Sequence, residues 1–293
     1  METPWAVVMG SWGDAISCYG NICDRLRREG RSVANVVYYG PDQAIVPFLK
    51  AQSNIGTVVH SRPPDEHTYY NVVFHATGME NVPIDVWWPH LGLQNHIPIT
   101  DLWLTMVEYN LHTNPRFFPH RMDLPTDIEL VWMEEVRKWA AGRKYVLFQP
   151  YSTSNTTTYD QHWDHWQAAL KWLYKETKWP IVMCGQQHYL DTYVDVSYDP
   201  DRLNSTFIGH TPTMMHAFAL ANGAAGVVTT TNGMAHWTVV SNKRALVVKN
   251  KKIHYFPYFD QYVQQSPNVV LPAEATVGQF GIAFEETFGP NWG

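Results

Sequence analysis

The feature that most constrains the fold of this chain is the alternation of short apolar runs with segments of helical periodicity. An apolar run at Trp5–Met9 is followed by a predicted helix over residues 15–29 and by a second apolar run at 33–39. The same rhythm returns between residues 145 and 248. Runs of this length are typical of buried strands, and helices between them carry the chain back so that the strands pair in parallel. The sequence therefore predicts an α/β protein with parallel sheets.

The rhythm breaks between residues 118 and 127, where Pro119 and Pro125 indicate a linker. A chain of 293 residues is also long enough for two domains. We therefore expect two Rossmann-like domains, at residues 1–135 and 140–275, with their parallel sheets facing a cleft at the carboxyl ends of the strands. Helices are expected at 99–109, 127–141 and 276–288, and the C-terminal segment 276–293 is expected to pack back on the first domain.

The charge and cysteine content make several classes of protein less favoured. The net charge is −6 and the pI about 6.1, so the chain as a whole gives no support for nucleic acid or anionic lipid as a partner. Its 3 cysteines show no metal-ligand spacing, which favours buried free thiols in a reducing compartment. No signal peptide and no apolar run of membrane-spanning length is recognisable, and a cytoplasmic localisation is therefore expected.

A pattern suited to binding phosphate occurs at residues 230–236. The apolar run 224–228 leads through an Asn-Gly turn into a predicted helix at about 234–240. The first turn of a helix presents N–H groups without helical partners and the positive end of the helix dipole, which together favour an anion. A histidine in this turn can add a hydrogen bond. The residues expected to form the site are Thr231, Asn232, Gly233, Met234, Ala235 and His236.

A second turn of interest follows the first apolar run. Gly10 and Gly13 let the backbone turn tightly and approach a ligand, and Ser11 and Trp12 lie between them. Asp14 comes at the start of the helix. Two interpretations stay open: the Asp14 carboxylate serves a site at the edge of the cleft, or it only stabilises the helix N-terminus.

Other polar loops follow the predicted strands of the second half. Hydroxyl and amide side chains in these loops suit phosphate or sugar oxygens, although solvated loops of the same composition are common. His162 and His165 share a helix face, but a catalytic zinc helix usually spaces its histidines by four, and no metal site is predicted. The candidate binding residues in these loops are Ser152, Thr153, Gln187, His210 and Thr211.

The order of these motifs carries more information than any one of them. In chain order they are Gly13-Asp14-Ala15-Ile16, Gln149-Pro150-Tyr151-Ser152, His162-Trp163 with His165-Trp166, Gly185, Gly209-His210-Thr211 and Thr231-Asn232-Gly233-Met234-Ala235-His236. In this order the chain resembles glycosyltransferase family 9, the ADP-heptose:lipopolysaccharide heptosyltransferases and their relatives, which have the two-Rossmann-domain GT-B fold. The resemblance is clearest over residues 5–30 and 145–250.

The resemblance implies an inverting, metal-independent transfer of a sugar from a nucleotide-diphosphate donor to an acceptor hydroxyl, with no further cofactor. Asp14 would be the general base, and the amides of residues 233–236 would stabilise the departing diphosphate. Ser152 and its neighbour Thr153 would hold phosphate oxygens. Gln187 and the His210–Thr211 turn would lie near the ribose and the base. The acceptor would be a glycan or another hydroxyl-bearing molecule.

The sequence departs from the family pattern at three positions of the expected donor site. Thr231 stands where the family has Asp, Asn232 where it has Ser or Thr, and Gln161 where it usually has a lysine that neutralises the diphosphate. A charge-assisted contact of this kind contributes about 1.5–3 kcal/mol. Two alternatives therefore stay open: a non-catalytic protein that binds sugar nucleotides, and a transferase that acts on a modified base in phage DNA.

Overall fold

A computed structural model describes residues 3–62, 102–104, 122–124, 142–150, 163–177, 179–185, 206–210, 214–250, 263–264 and 266–289, with residues 134, 136, 138 and 140. The chain divides into two compact units, Met1–Pro125 and Thr126–Gly293. The boundary between the units thus falls before the described helical residues 134, 136, 138 and 140, which belong to the second unit. Most of the helix expected at 127–141 lies outside the described residues.

The first unit is built on a parallel sheet. Its strand order is β3-β2-β1-β4, so β1 has neighbours that come later in the chain on both sides. The carboxyl end of β1 is therefore a topological switch point, where α/β sheets commonly bind ligands. The elements are β1 (Trp5–Met9), α1 (Trp12–Glu29), β2 (Ala34–Tyr39), α2 (Ile45–Ala51), β3 (Ile55–Ser61) and β4 (Leu102–Leu104).

The second unit contains a larger parallel sheet in the order β10-β9-β8-β5-β6-β7. The chain builds outward from β5 to β7 and then returns to place β8 on the other side of β5. The carboxyl ends of β5 and β8 therefore form the second switch point. The elements are β5 (Val146–Gln149), α3 (Trp166–Glu176), β6 (Ile181–Gly185), β7 (Thr206–His210), α4 (Met214–Gly223), β8 (Gly226–Thr230), α5 (Gly233–Val240), β9 (Ala245–Val248), β10 (Asn268–Leu271) and α6 (Val277–Phe288).

The C-terminal helix α6 is part of the second unit. It packs against α3, β9 and β10, and its buried face carries Phe280, Phe284 and Phe288. These rings meet the tryptophans of the α3 region, with Phe280 at 5.5 Å from Trp163 between ring centroids. The expectation that residues 276–293 pack back on the first domain stays a prediction. The aromatic face has its apolar partners in the second unit, where it buries a large area.

The structure differs from the sequence prediction at three elements. Residues 102–104 form strand β4, paired in parallel with β1, instead of part of the helix expected at 99–109. A three-residue strand takes its stability from the sheet it joins, and its own sequence pattern does not reveal it. Strand β10 and helix α2 were also not predicted. In α2, Pro47 interrupts the helical pattern of the sequence, but it lies in the first turn, where proline is tolerated.

The structure also bears on the predicted state of the cysteines and on membrane-spanning helices. Cys18, Cys23 and Cys184 are buried thiols that form no disulfide with one another, as predicted. None of the helices that the structure describes is long and apolar enough to cross a membrane.

Candidate functional site

The turn between β1 and α1 holds the Asp14 carboxylate in a defined position. Asp14 Oδ2 accepts hydrogen bonds from the Ser11 backbone N–H at 3.0 Å and from the Ser11 hydroxyl at 3.2 Å. These contacts belong to a capping arrangement that starts α1 at Trp12, three residues before the predicted helix. Trp12 is buried and packs its ring on Phe48, at 5.8 Å between centroids. The helix-stabilising interpretation of Asp14 is thus correct, and it leaves open a second role for the same carboxylate.

The electrostatic environment makes Asp14 a stronger base than an ordinary aspartate. Although part of the side chain is accessible, it lies deep enough that desolvation raises its pKa. The hydrogen bonds from Ser11 lower the pKa, but they do not cancel the effect of desolvation. A carboxylate with a raised pKa, at a switch point of a parallel sheet, is suited to accept a proton from a substrate.

Gly10 makes room for this carboxylate. Its backbone has φ +88°, and a Cβ atom built on it would overlap the Asp14 carboxyl group. The Gly10 carbonyl accepts a hydrogen bond of 3.1 Å from the Tyr38 phenol, and the Tyr38 ring stacks on His60 at 5.3 Å. Burial raises the pKa of Tyr38, with the Asp42 and Asp14 carboxylates adding to the effect, so the phenol stays protonated as a donor. The turn is therefore fixed from both β2 and α1.

We predict that Gly10→Ala destabilises the protein more than Gly30→Ala. Both glycines have positive φ, which costs other residues about 1–2 kcal/mol. A Cβ on Gly30 meets nothing within 4 Å, whereas one on Gly10 displaces Asp14. Urea unfolding of the two variants measures the difference, expected to be at least about 1 kcal/mol. Equal losses would show that the Gly10–Asp14 contact is unimportant.

At the second switch point, Asn232 caps helix α5. Its Oδ1 accepts the backbone N–H of Met234 at 2.9 Å and of Ala235 at 3.3 Å. Asparagine is among the best residues for this position. Met234 and Ala235 are buried, while Gly233 is partly accessible. The helix predicted to begin with this motif is therefore confirmed, and two of its first amides are occupied by the cap.

A polar network ties the Asn232 cap to strand β5. Asn232 Nδ2 donates to Gln149 Oε1 at 2.7 Å. The Thr229 hydroxyl lies 2.9 Å from the Gln149 carbonyl and 3.1 Å from Asn232 Oδ1, and its single proton serves one of them at a time. Gln149 and Thr229 are buried. The network joins the carboxyl ends of β5 and β8, so the N-terminus of α5 is held firmly at the switch point.

Asn250 lies two residues beyond the carboxyl end of the adjacent strand β9. Thr230 and Thr231 both contact this residue, since the Thr230 hydroxyl donates to Asn250 Oδ1 and the Thr231 hydroxyl accepts the Asn250 backbone N–H at 3.4 Å. Asn250 is only 3% exposed, and within the described part of the chain its Nδ2 amide has no hydrogen-bond partner. A buried donor of this kind is costly unless a partner, such as a ligand oxygen, completes it.

His236 lies in the first turn of α5. Its side chain keeps some accessible surface, but loss of hydration lowers its pKa to about 4. The imidazole is therefore neutral at pH 7, so it can donate or accept a hydrogen bond but does not supply a positive charge.

This pKa predicts how stability changes with pH. The unfolded histidine titrates near 6.5 and the folded one near 4, so the unfolded state binds more protons between these values. The stability is fully present above pH 6.5 and falls as the pH decreases toward 4, by up to about 3 kcal/mol. His236→Gln should flatten this part of the profile, measured by urea unfolding from pH 4 to 7. An identical profile in the variant would mean that another group is responsible.

Only some of the remaining predicted site residues lie in the described part of the chain. His210 ends β7, at the far edge of the second sheet and two strands from β5, and its backbone alone is described. Trp163 and Trp166, from the motif near His162, are core residues, and the Trp163 indole donates to the Ala275 carbonyl at 2.7 Å. The predicted residues outside the described part of the chain are Ser152, Thr153, Gln161, Gln187 and Thr211.

In the described ranges, no group of three or more His, Cys, Asp or Glu side chains is arranged to hold a metal ion.

Sequence reasoning missed four residues that shape these sites. Thr229 and Asn250 are polar residues at or just beyond the carboxyl ends of apolar strands, and that position is the signal that could have revealed them. Tyr38 and His60 gave no such signal. The hydrogen bond from Tyr38 to Gly10 and the stacking of Tyr38 on His60 depend on the pairing of β1, β2 and β3, which a sequence pattern does not specify.

The two parallel sheets, each with its motif at a switch point, define the class of fold. The chain has the GT-B fold found in family 9 glycosyltransferases. No protein-family model and no curated protein matches the sequence, so this likeness is one of structure.

Three solved structures illustrate the likeness. A family 9 glycosyl transferase from Veillonella parvula is similar with a TM-score of 0.60 and 12% identity, and the match covers 97% of both chains. The ADP-heptose lps heptosyltransferase II of E. coli gives 0.59 and 13%, covering 97% of this chain and 98% of the other. The E. coli heptosyltransferase WaaC with ADP gives 0.54 and 12%, covering 97% and 99%.

Proposed function

We propose that this protein is a glycosyltransferase that moves a sugar from a nucleotide-diphosphate donor to an acceptor hydroxyl. The observation that carries the proposal is the Asp14 carboxylate. This carboxylate is desolvated, accepts hydrogen bonds from Ser11 and packs against Gly10, at a switch point of a GT-B fold. A positioned carboxylate with a raised pKa is the group that a hydroxyl nucleophile needs as its base.

The proposed reaction is a single displacement. The acceptor oxygen attacks the anomeric carbon and forms the new glycosidic bond, while the bond from that carbon to the diphosphate oxygen breaks. Asp14 takes the hydroxyl proton, and the electron pair of the broken bond leaves with the nucleoside diphosphate. Inversion at the anomeric carbon follows from one attack on the face opposite the leaving group, and no metal ion has a role in the proposal.

The donor diphosphate is assigned to the second unit. The Asn250 amide needs an acceptor, and the dipole of α5 favours negative charge near Gly233 and His236. His236 would donate a neutral hydrogen bond to a phosphate oxygen. The Asn232 network keeps these groups in place before the donor arrives, which lowers the ordering cost of binding.

One structural observation favours a second candidate, a sugar-nucleotide-binding protein without turnover. The Asn232 side chain already accepts the amides of Met234 and Ala235, so these two groups are not available to stabilise a leaving diphosphate. On this alternative, the protein would bind nucleoside diphosphates and sugar nucleotides but would not break the anomeric bond.

A donor screen separates the two candidates. The protein is mixed with UDP-, ADP-, GDP- and TDP-sugars and a broad acceptor mixture, and the release of nucleoside diphosphate is measured. Thermal stabilisation by the same nucleotides is measured in parallel. Release that depends on an acceptor supports the transferase. Thermal stabilisation without release of nucleoside diphosphate from any donor supports the binding protein. If neither release nor stabilisation is observed, both candidate functions are contradicted.

A further inference from the structure

The second unit has a basic pocket at the amino ends of its strands, the end of the sheet opposite to Asn232. The pocket is open to the surface, has a volume of about 670 Å³ and lies across the amino ends of the strands. Arg244 immediately precedes β9, Ala225 precedes β8 and Lys144 lies two residues before β5. The strands are parallel, so this pocket is separated from the α5 N-terminus by a strand length, about 13–17 Å for four to five residues. The lining residues are Gly142, Arg143, Lys144, Trp179, Ala225, Asn242, Lys243, Arg244, Pro267 and Phe288.

The charge of the lining is entirely positive. It carries two lysines and two arginines, and none of the described lining residues is acidic. The sheet order explains the clustering. Strands β9, β8 and β5 are neighbours and run parallel, so the residues that precede them lie side by side at the same end of the sheet. In a chain with a net charge of −6, such a concentration of cations needs an explanation.

Neighbouring backbone groups hold these side chains in place. The Lys243 ammonium donates to the Asn222 carbonyl at 3.1 Å, and Arg244 Nη1 donates to the Thr287 carbonyl at 3.0 Å. Arg143 Nε donates to the Ala140 carbonyl at 3.0 Å. The Lys243 ammonium and the Arg244 guanidinium carry further N–H donors, since an ammonium has three and a guanidinium five. A carbonyl oxygen is neutral, so the hydrogen bonds of Lys243 and Arg244 to carbonyls leave the positive charge of these two groups in place.

The lysines also repel each other. Burial lowers the pKa of Lys243, and the charge of Lys144 lowers it further. An anion between them would relieve this repulsion. Part of the lining is apolar: Trp179 and Phe288 are buried, with their ring centroids 6.3 Å apart.

We propose that this basic pocket binds a small molecule carrying two or more phosphate groups. Several fixed cations match several negative charges, and phosphate oxygens accept the forked hydrogen bonds that arginine offers. The volume suits a small ligand rather than a single ion. The site is distinct from the proposed donor site and does not depend on transferase activity.

The test uses inorganic pyrophosphate as the probe and compares two double variants of the full chain. Lys144→Gln/Lys243→Gln removes two pocket lysines. Lys171→Gln/Lys175→Gln removes two exposed lysines of α3 in the same unit, with the same change in charge. We expect isothermal titration calorimetry to show at least about tenfold weaker binding in the pocket variant and unchanged binding in the control variant. Thermal unfolding checks that both variants are folded, and Lys144→Arg/Lys243→Arg should retain binding.

A second readout locates the bound probe. Amine acylation of the unmodified protein, followed by mass spectrometry, should be slowed by pyrophosphate at Lys144 and Lys243 but not at Lys171. Acetate at the same ionic strength controls for screening and should protect none of them. Equal affinity in both double variants, or no protection of the pocket lysines at millimolar pyrophosphate, would overturn the proposal.

Discussion

Asp14→Asn is expected to lower kcat by about 10²–10⁴-fold, the usual contribution of a positioned general base. Asparagine keeps an oxygen that can accept the Ser11 N–H, so the turn and the start of α1 should survive. The affinity for the donor should not change, because the diphosphate is assigned to the second unit. Steady-state kinetics with the donor found in the screen, together with donor titration by calorimetry, measures both quantities.

Asp42→Asn is the matched control for this experiment. Asp42 lies in the same unit and also accepts a backbone hydrogen bond, from the Ala44 N–H at 2.9 Å. It has no place in the proposed chemistry, so kcat should stay within about twofold, a change of under 0.5 kcal/mol. If both variants lost activity equally, the effect would be structural. If Asp14→Asn kept full kcat, the base assignment would be wrong.

Phe284→Ala is expected to have the largest effect on stability, about 3–5 kcal/mol. Phe284 is fully buried, and its ring lies 4.8 Å from that of Phe288 and 6.1 Å from that of Trp172 between centroids. The truncation leaves a cavity between α6 and α3. Chemical unfolding monitored by tryptophan fluorescence should show the loss as a lower midpoint.

Ile282→Ala, on the opposite face of the same helix, is the control for Phe284→Ala. Ile282 is 62% exposed, so its replacement should change stability by less than about 0.5 kcal/mol. Both changes introduce alanine, which removes helix propensity as an explanation for a difference. A small effect of Phe284→Ala would show that α6 contributes little to the second unit.

The sequence predicted most of the strands and helices near the two switch points. The β1–α1 turn was recognisable because Gly10, Gly13 and Asp14 are residues with restricted uses in such turns. The α5 motif was recognisable for a similar reason, since Asn232 is a strong cap before a glycine. Turns and helix caps of this kind depend on residues that are adjacent in the sequence, so they can be predicted from it. The apolar strands next to these turns are located by their hydrophobic pattern.

Features that depend on pairing between distant segments were not predictable. Strand β4 is recognised only by its pairing with β1, and the Tyr38–Gly10 hydrogen bond joins residues that are 28 positions apart. The placement of α6 depended on which aromatic surface its phenylalanines would meet. The basic pocket was missed for the same reason, because it gathers residues from loops that are far apart in the chain.

The most direct test of the proposed function is the anomeric configuration of the product. The donor found in the screen is incubated with its acceptor, and proton NMR follows the anomeric signals of donor and product. A single displacement promoted by Asp14 predicts a product whose anomeric configuration is opposite to that of the donor, formed with one nucleoside diphosphate per sugar transferred. A product with retained configuration, or the absence of transfer from every donor, would contradict it.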